Sequence, residues 1–146
     1  MSGFRFSLEK ALDLRRLQLQ LAEAAFQRQA AALFALDRNR EELRASRTAA
    51  EAQVRDGRPA QGRDLAALGA FRLHVQAKQK ELALRYAEGE KKLEECRAAM
   101  LEARRRCRLM ENLKERRRLD WETARSRELE TLAGESFLAQ WNRGKS

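Results

Sequence analysis

The sequence predicts an all-α protein, a long antiparallel two-helix coiled coil whose second helix overhangs the first. The chain is rich in Ala, Glu, Lys, Leu and Arg, with 36% charged and 6% aromatic residues, which is typical of long helices and coiled coils. Apolar residues recur at seven-residue spacing along two stretches that one short Gly/Pro segment separates, and this pattern indicates a helical hairpin. The 146 residues are expected to form a single domain, 1–146.

The first helix is predicted from about residue 8 to residue 54, with Ser7 as its N-cap. Two interleaved tracks at seven-residue spacing run along it. They are Leu12, Leu19, Phe26, Leu33, Arg40, Arg47 and Val54, and Leu8, Arg15, Ala22, Gln29, Leu36, Leu43 and Ala50. A further set is expected to widen the apolar stripe near the start of this helix: Leu14, Leu17, Leu21 and Ala25.

The segment 55–63 is predicted to be the turn. It holds Pro59, which is the only proline of the chain, between Gly57 and Gly62. Gly57 suits a helix C-terminus, Pro59 blocks continuation of the helix, and Asp64 can cap the second helix. A connection this short between two long helices implies antiparallel neighbours.

The second helix is predicted from about residue 64 to residue 133, with Gly134 as its stop and a tail over 134–146. Its tracks are Leu68, Val75, Leu82, Gly89, Cys96, Ala103 and Met110, and Leu65, Tyr86, Leu93, Met100, Cys107 and Trp121, the second broken by Arg72, Gln79 and Lys114. With equal rise on both arms, residue i faces roughly residue 118 − i. The overhang from Asn112 to Leu132 then has no partner in the first helix.

The composition argues against an enzyme. A two-helix seam offers no concave apolar pocket, and His74, the only histidine, has no catalytic or metal-binding residues around it. No cofactor or metal is expected, and Cys96 and Cys107 are predicted to be reduced seam residues. No apolar run approaches the roughly 20 residues of a membrane span, and the first residues lack a signal region, so a cytoplasmic location is expected.

The net charge of +9 favours nucleic acid, an anionic membrane or an acidic protein as partner. The most basic window is residues 104–118, with eight basic residues. It is interpreted either as a solvated helical face with local ion pairs or as a surface for an acidic partner. Nucleic acid is the weaker alternative, because the chain carries no zipper basic region, zinc-finger or RNA-binding signature.

Aromatic residues mark three further places. Trp121 lies on a seam track beyond the first helix, so it is expected to be exposed or covered by the N-terminus or a partner. Phe4 and Phe6 can fold onto the overhang or dock elsewhere. Phe71 lies one place off both tracks, which favours an exposed anchor for a partner.

Three segments of the chain carry a family resemblance. Residues 4–16 read FRFSLEKALDLRR, the Gly/Pro break is followed by Asp64, Leu65 and Phe71, and residues 110–117 read MENLKERR. These segments resemble the start, the middle and the C-terminal segment of the FliJ family, the soluble coiled-coil component of the flagellar type III protein export apparatus. The resemblance implies a stalk-like protein that inserts its terminal end into the pore of the hexameric export ATPase and promotes hexamer formation. It also implies contacts with the membrane export-gate protein and with export chaperones.

Carried onto this sequence, the resemblance implies two sets of site residues. The export-gate set is Phe71, Val75, Lys78 and Leu82. Lys78 and Leu82 depart from the small residue and the histidine of the family, and the seven-residue track offers seam packing as the alternative for Val75 and Leu82. The proposed ATPase-binding set is Arg104, Arg105, Arg108, Lys114, Arg116, Arg117, Arg118 and Trp121.

The function expected from this resemblance is binding and stimulation of the export ATPase as a central stalk, linked to the export gate and the chaperones. The protein would then be cytoplasmic and peripheral at the inner face of the cell membrane, held there by its partners. A general coiled-coil scaffold or tether is the alternative, and a basic helical nucleic-acid-binding protein is a third.

Overall fold

A computed structural model describes residues 3–57 and 62–145. It contains two long α-helices that pack against each other, α1 (Glu9–Asp56) and α2 (Gly62–Gly144), and no strand among the residues it describes. The predicted all-α helical hairpin is therefore confirmed. The predicted turn lies partly outside the described residues, and Pro59 is among those left out.

The ends of α1 lie close to the predicted ones. The helix begins at Glu9, and the Leu8 carbonyl accepts from the Leu12 N–H at 2.9 Å. Leu8 therefore occupies the N-cap position, and Ser7 lies one residue before it. The Ser7 hydroxyl instead accepts a hydrogen bond from Arg117 Nη1 at 3.0 Å. At the other end α1 stops at Asp56, directly before Gly57, where a glycine was expected to end it.

The ends of α2 differ more from the prediction. The helix begins at Gly62, so Asp64 lies inside its first turn, where a carboxylate favours the positive end of the helix dipole. The stop predicted at Gly134 is wrong, because α2 continues to Gly144. A glycine ends a helix when it adopts a left-handed conformation, and no glycine within the described ranges has a positive φ.

Contacts divide the chain into two compact units. Unit 1 combines Met1–Gln20 with Glu102–Ser146. Its core consists of Phe6, Leu12 and Cys107, with Phe4, Leu19, Met110 and Leu113 packed against them. A core of this composition joins the N-terminal segment and the start of α1 to the C-terminal half of α2.

Unit 2 is Leu21–Leu101, and its interior holds Leu33, Val75, Leu82 and Gly89. The side chain of Leu33 lies directly over Gly89, where an added Cβ would come within 2.5 Å of Leu33 Cδ2. Gln29 Nε2 donates to the Gly89 carbonyl at 3.1 Å. The missing side chain at Gly89 therefore allows the two helices to approach closely.

The seven-residue tracks correspond to the buried sides of both helices. Most track residues are buried or half-buried, and the exceptions are Leu8, Leu65 and Arg72. The predicted widening of the stripe is wrong for the leucines at positions 14, 17 and 21, which are exposed. A single partner helix covers only one narrow strip of its neighbour, so residues outside that strip remain in solvent.

Within each unit the helices run antiparallel. In unit 2, Gln29 bonds to Gly89, the residue that the predicted register places opposite it. Near the turn the register differs: it places Ala67 opposite Glu51, but the residue that donates to Glu51, at 3.1 Å, is Arg72. In unit 1, Lys114 bonds to Glu9 at 3.0 Å, five residues beyond the predicted position. The first arm therefore covers more of α2 than equal arms predicted.

Candidate functional site

The basic window of α2 is divided by the rotation of the helix into residues that face the N-terminal part of the chain and residues that face solvent. Lys114 Nζ lies 2.9 Å from Glu9 Oε2. Arg117 bonds to Ser7, and its guanidinium lies 5.5 Å from the centre of the Phe6 ring. Both side chains therefore hold the N-terminal segment against α2.

Other arginines of the window form ion pairs along α2 itself. Arg105 and Arg106 both donate to Glu102 at 3.0–3.1 Å. These hydrogen bonds, first that of Arg105 and then that of Arg106, lower the pKa of the Glu102 carboxyl to about 2. Arg118 pairs with Glu115 and Glu122 in the same way. This part of the window matches the predicted solvated face with pairs three and four residues apart.

Two predicted site residues remain available to a partner. Arg108 and Arg116 are exposed, and neither side chain has an ion pair or hydrogen bond with any described residue. Asn112 lies between them at four-residue spacing, so the three share one side of α2. Arg104 is also exposed on this side. We define Arg104, Arg108 and Arg116 as the outer basic face.

Trp121 is covered by the N-terminal segment. The centre of the Phe4 ring lies 6.1 Å from that of the Trp121 ring, and the Arg125 guanidinium lies 5.3 Å from the centre of the same Trp121 ring. Phe6 is buried beside Leu12 and Cys107. The overhang predicted from Asn112 is therefore wrong at its start, because the two phenylalanines fold back and bury apolar surface against α2 as far as Trp121.

The uncovered end of α2 begins after Trp121. Every described residue from 122 to 145 is exposed, including a set of large apolar side chains: Leu129, Leu132, Phe137, Leu138 and Trp141. Phe137 and Trp141 pack together with ring centres 6.4 Å apart. Sequence reasoning missed Phe137, Leu138 and Trp141 as site candidates because it placed them in a tail beyond the predicted helix, although Phe137 and Trp141 stand four residues apart.

The residues carried over for the export gate lie in unit 2 and do not form one accessible surface. Val75 is 0% and Leu82 is 9% exposed, so both pack between the helices and cannot contact a partner while the helices stay together. Phe71 is half-buried rather than the exposed anchor that was expected. Lys78 is exposed and pairs with Glu81 at 3.5 Å.

The described residues offer little for other chemistry. They contain no group of three or more His, Cys, Asp or Glu side chains placed to hold a metal ion. Both cysteines are free. Burial, followed by the nearby Glu111 carboxylate, raises the pKa of the Cys107 thiol, which makes the reactive thiolate scarcer. No helix in ranges 3–57 and 62–145 has the length and apolar character of a membrane span.

Comparison with known proteins does not add a relative. The chain matches no family model, and no curated protein or solved structure is significantly similar to it.

Proposed function

We propose that this chain is a flagellar type III export component of the FliJ type, which binds the hexameric export ATPase as a central stalk and stimulates it. The same proposal gives it contacts with the export gate and with export chaperones. It acts by binding rather than by catalysis. Its location is the cytoplasm, at the inner face of the cell membrane, where its partners hold it.

The observation that carries this proposal is the uncovered end of α2. Residues 122–145 are helical and exposed, and they present Leu129, Phe137 and Trp141 to solvent without a covering helix. Phe137 and Trp141 pack together there with ring centres 6.4 Å apart, and an exposed aromatic pair of this kind can anchor a partner. A bare helical end is what a central pore can accommodate, since a pore surrounds its ligand from all sides.

The outer basic face supports the same assignment. It lies on α2 shortly before the uncovered end, and Arg108 and Arg116 leave their charges free for acidic or carbonyl-rich loops of a ring. Arginine suits such contacts because its guanidinium donates several hydrogen bonds in a fixed plane. Lys114 and Arg117 are weaker candidates, because they already bond to Glu9 and Ser7.

The export-gate contact involves fewer residues than the resemblance implied. Of that set, Lys78 is accessible and Phe71 partly so, whereas Val75 and Leu82 are buried. We therefore limit the proposed gate contact to Phe71 and Lys78.

The test is an ATPase assay with the purified hexameric flagellar export ATPase, with and without the full chain. The wild-type chain is expected to stimulate hydrolysis. The double substitution Arg108→Glu and Arg116→Glu should weaken the interaction roughly tenfold, which corresponds to about 1.4 kcal/mol. The loss should shrink as salt is raised, because exposed charges are screened.

The matched control is Lys91→Glu with Lys92→Glu, which makes the same change in net charge at two exposed lysines of unit 2. Stimulation by this control should equal that of wild type. A wild-type chain that leaves hydrolysis unchanged would contradict the proposed function and favour a general scaffold. Equal losses in both double variants would instead contradict the assignment of the outer basic face.

A further inference from the structure

Unit 2 carries a second apolar stripe, on the side of α2 that faces away from α1. Two further tracks at seven-residue spacing form it, one over residues 66–87 and one over residues 70–84. All seven track positions are exposed, and Lys80 is the one position among them that is neither leucine nor alanine. Leu73 is 69% and Leu84 is 70% exposed, so the stripe presents two large apolar side chains to solvent.

The rotation of α2 places this stripe nearly opposite the seam with α1. Leu84 comes two residues after Leu82, which is buried, and Ala87 comes one residue after Tyr86, which is half-buried. At about 100° per residue, the centre of the stripe lies about 150° from the centre of the seam. Its spacing of three and four residues is the one with which helices form a coiled-coil seam. The stripe is therefore a second seam that α1 cannot cover.

A second copy of the stripe fits the first when the two α2 helices run antiparallel. In the register in which residue i faces residue 157 − i of the other copy, Leu73 faces Leu84. Two-fold symmetry repeats this contact, so both leucines of each copy are used. Lys80 faces Ala77, whose small side chain leaves room for the lysine stem to reach solvent. The same sequence therefore supplies both sides of a closed seam.

The charges along this stretch favour the antiparallel arrangement. The register places Glu94 opposite Arg63 and His74 opposite Glu81, and within residues 63–94 it places no two charges of the same sign opposite each other. A parallel pair would instead place each charged residue of the stripe and of its ends opposite its own copy, Lys80 against Lys80 and Glu94 against Glu94. Like charges facing each other destabilise a helix pair, so the antiparallel pair is the one that this sequence supports.

We propose that the stripe of residues 66–87 binds a second copy of this chain and forms an antiparallel homodimer. Residues 62–101 carry eight basic and six acidic side chains, so this stretch contributes little of the net positive charge that repels two copies. About eighteen residues per copy would line the contact, slightly fewer than the roughly 20–30 of a standard stable interface. The dimer is therefore expected in the micromolar range. This inference concerns unit 2 and does not rest on the proposed function.

Sedimentation equilibrium of the full chain tests the proposal. Between about 1 and 500 μM, the wild-type chain should show a monomer–dimer equilibrium with a Kd on the order of 10–100 μM. The double variant Leu73→Gln with Leu84→Gln should dimerise at least tenfold more weakly, because both symmetric leucine contacts are lost. Glutamine is chosen because its helix propensity is close to that of leucine.

The matched control makes the same two changes at leucines outside the stripe. Leu14 and Leu17 are both 52% exposed on α1, and Leu14→Gln with Leu17→Gln should dimerise as the wild-type chain does. Helicity measured by circular dichroism should be unchanged in both double variants, because every substituted side chain is exposed.

Distances between spin labels test the orientation of the two copies. Each chain carries one label, at Gln76→Cys or at Ala98→Cys, in a background of Cys96→Ser with Cys107→Ala. At 1.5 Å per residue, the antiparallel register separates two labels at position 76 by about 8 Å along the helix axis and two labels at position 98 by about 58 Å. A parallel dimer would place both label pairs at the same height, and both distances would be short.

Several outcomes would overturn the proposal. These are a wild-type chain that stays monomeric at about 500 μM, a stripe variant that dimerises with the wild-type Kd, and short distances at both label positions. Equal loss of the dimer in the control variant would place the contact on α1 instead of the stripe, and it would overturn the proposal as well.

Discussion

Gly89 is the residue at which one missing methyl group allows close contact between the helices. Leu33 occupies the space in which a Cβ would lie, and Gln29 reaches the Gly89 carbonyl from the same side. Gly69 lies on the same helix, but no atom comes within 4 Å of a Cβ built there. The two glycines therefore cost α2 the same intrinsic helix propensity, and only one of them receives a packing contact in return.

Substituting these two glycines by alanine should change stability in opposite directions. Gly69→Ala should raise the free energy of unfolding by about 0.5–1 kcal/mol, because alanine favours the helix. Gly89→Ala gains the same propensity but overpacks the seam at a cost of about 1–3 kcal/mol, so it should lower stability by about 1 kcal/mol. Urea unfolding followed by circular dichroism measures both. An equal gain in the two variants would mean that Leu33 moves away freely.

The N-terminal segment is a short element that changes the properties of a long one. Residues 3–8 precede α1, yet Phe6 is part of the core of unit 1 and Phe4 covers Trp121. Arg117 strengthens this attachment through Ser7 and the Phe6 ring. The segment therefore determines where the uncovered end of α2 begins, which two helical periodicities alone do not.

Removing the Phe6 side chain should destabilise unit 1. Because Phe6 is buried, Phe6→Ala should lower the free energy of unfolding by about 3 kcal/mol. Phe34→Ala is the matched control, because Phe34 is 67% exposed and its loss should change stability by no more than about 0.5 kcal/mol. Thermal and urea unfolding would measure both variants. In a Trp141→Phe background, where Trp121 is the only tryptophan, its fluorescence should shift only in Phe6→Ala. Similar losses in the two variants would contradict the packing of the N-terminal segment.

For the whole molecule, the antiparallel hairpin brings together residues that are far apart in the chain. Leu12 and Cys107 belong to one buried cluster although 94 residues lie between them. Two parallel helices, or two helices apart in solution, would not join these positions. Cys107 is a free thiol, so a single cysteine introduced opposite it is enough to test this arrangement by disulfide formation.

Leu12→Cys in a Cys96→Ser background should form an intramolecular disulfide with Cys107 under mild oxidation. The neighbouring Asp13→Cys should not, because the Asp13 side chain is largely exposed and a disulfide requires Cβ atoms about 4 Å apart. Mass spectrometry of proteolytic fragments would identify the bridge. Efficient bridging at position 13 with none at position 12 would contradict the rotation of α1 in unit 1.

Much of the fold was predictable because helical periodicity is local. The repeat of apolar residues every seven positions follows from 3.6 residues per turn, so it identified both helices and most seam residues, including Val75, Leu82 and Cys107. The errors at Gly134 and at Asn112 arose where local signals were ambiguous. A glycine is compatible with a helix end or a helix interior. The positions of Phe4 and Phe6 before α1 do not indicate which part of α2 they pack against.

The candidate site was less predictable for a related reason. Sequence alone marked residues 104–118 as basic, but it did not distinguish Lys114 and Arg117, which hold the N-terminal segment, from Arg108 and Arg116, which face solvent. That distinction depends on how far α2 is rotated about its axis in the packed pair, and one residue changes the direction of a side chain by about 100°.

Composition and the spacing of apolar residues were enough to predict two long amphipathic helices with an excess of positive charge, because both are properties of neighbouring residues. Packing between the helices settles which arginines of the basic window face solvent, where the cover over α2 ends and why a glycine stands at position 89. These features depend on contacts such as Lys114 with Glu9 and Leu33 over Gly89, because such residues approach each other only after the chain has reversed.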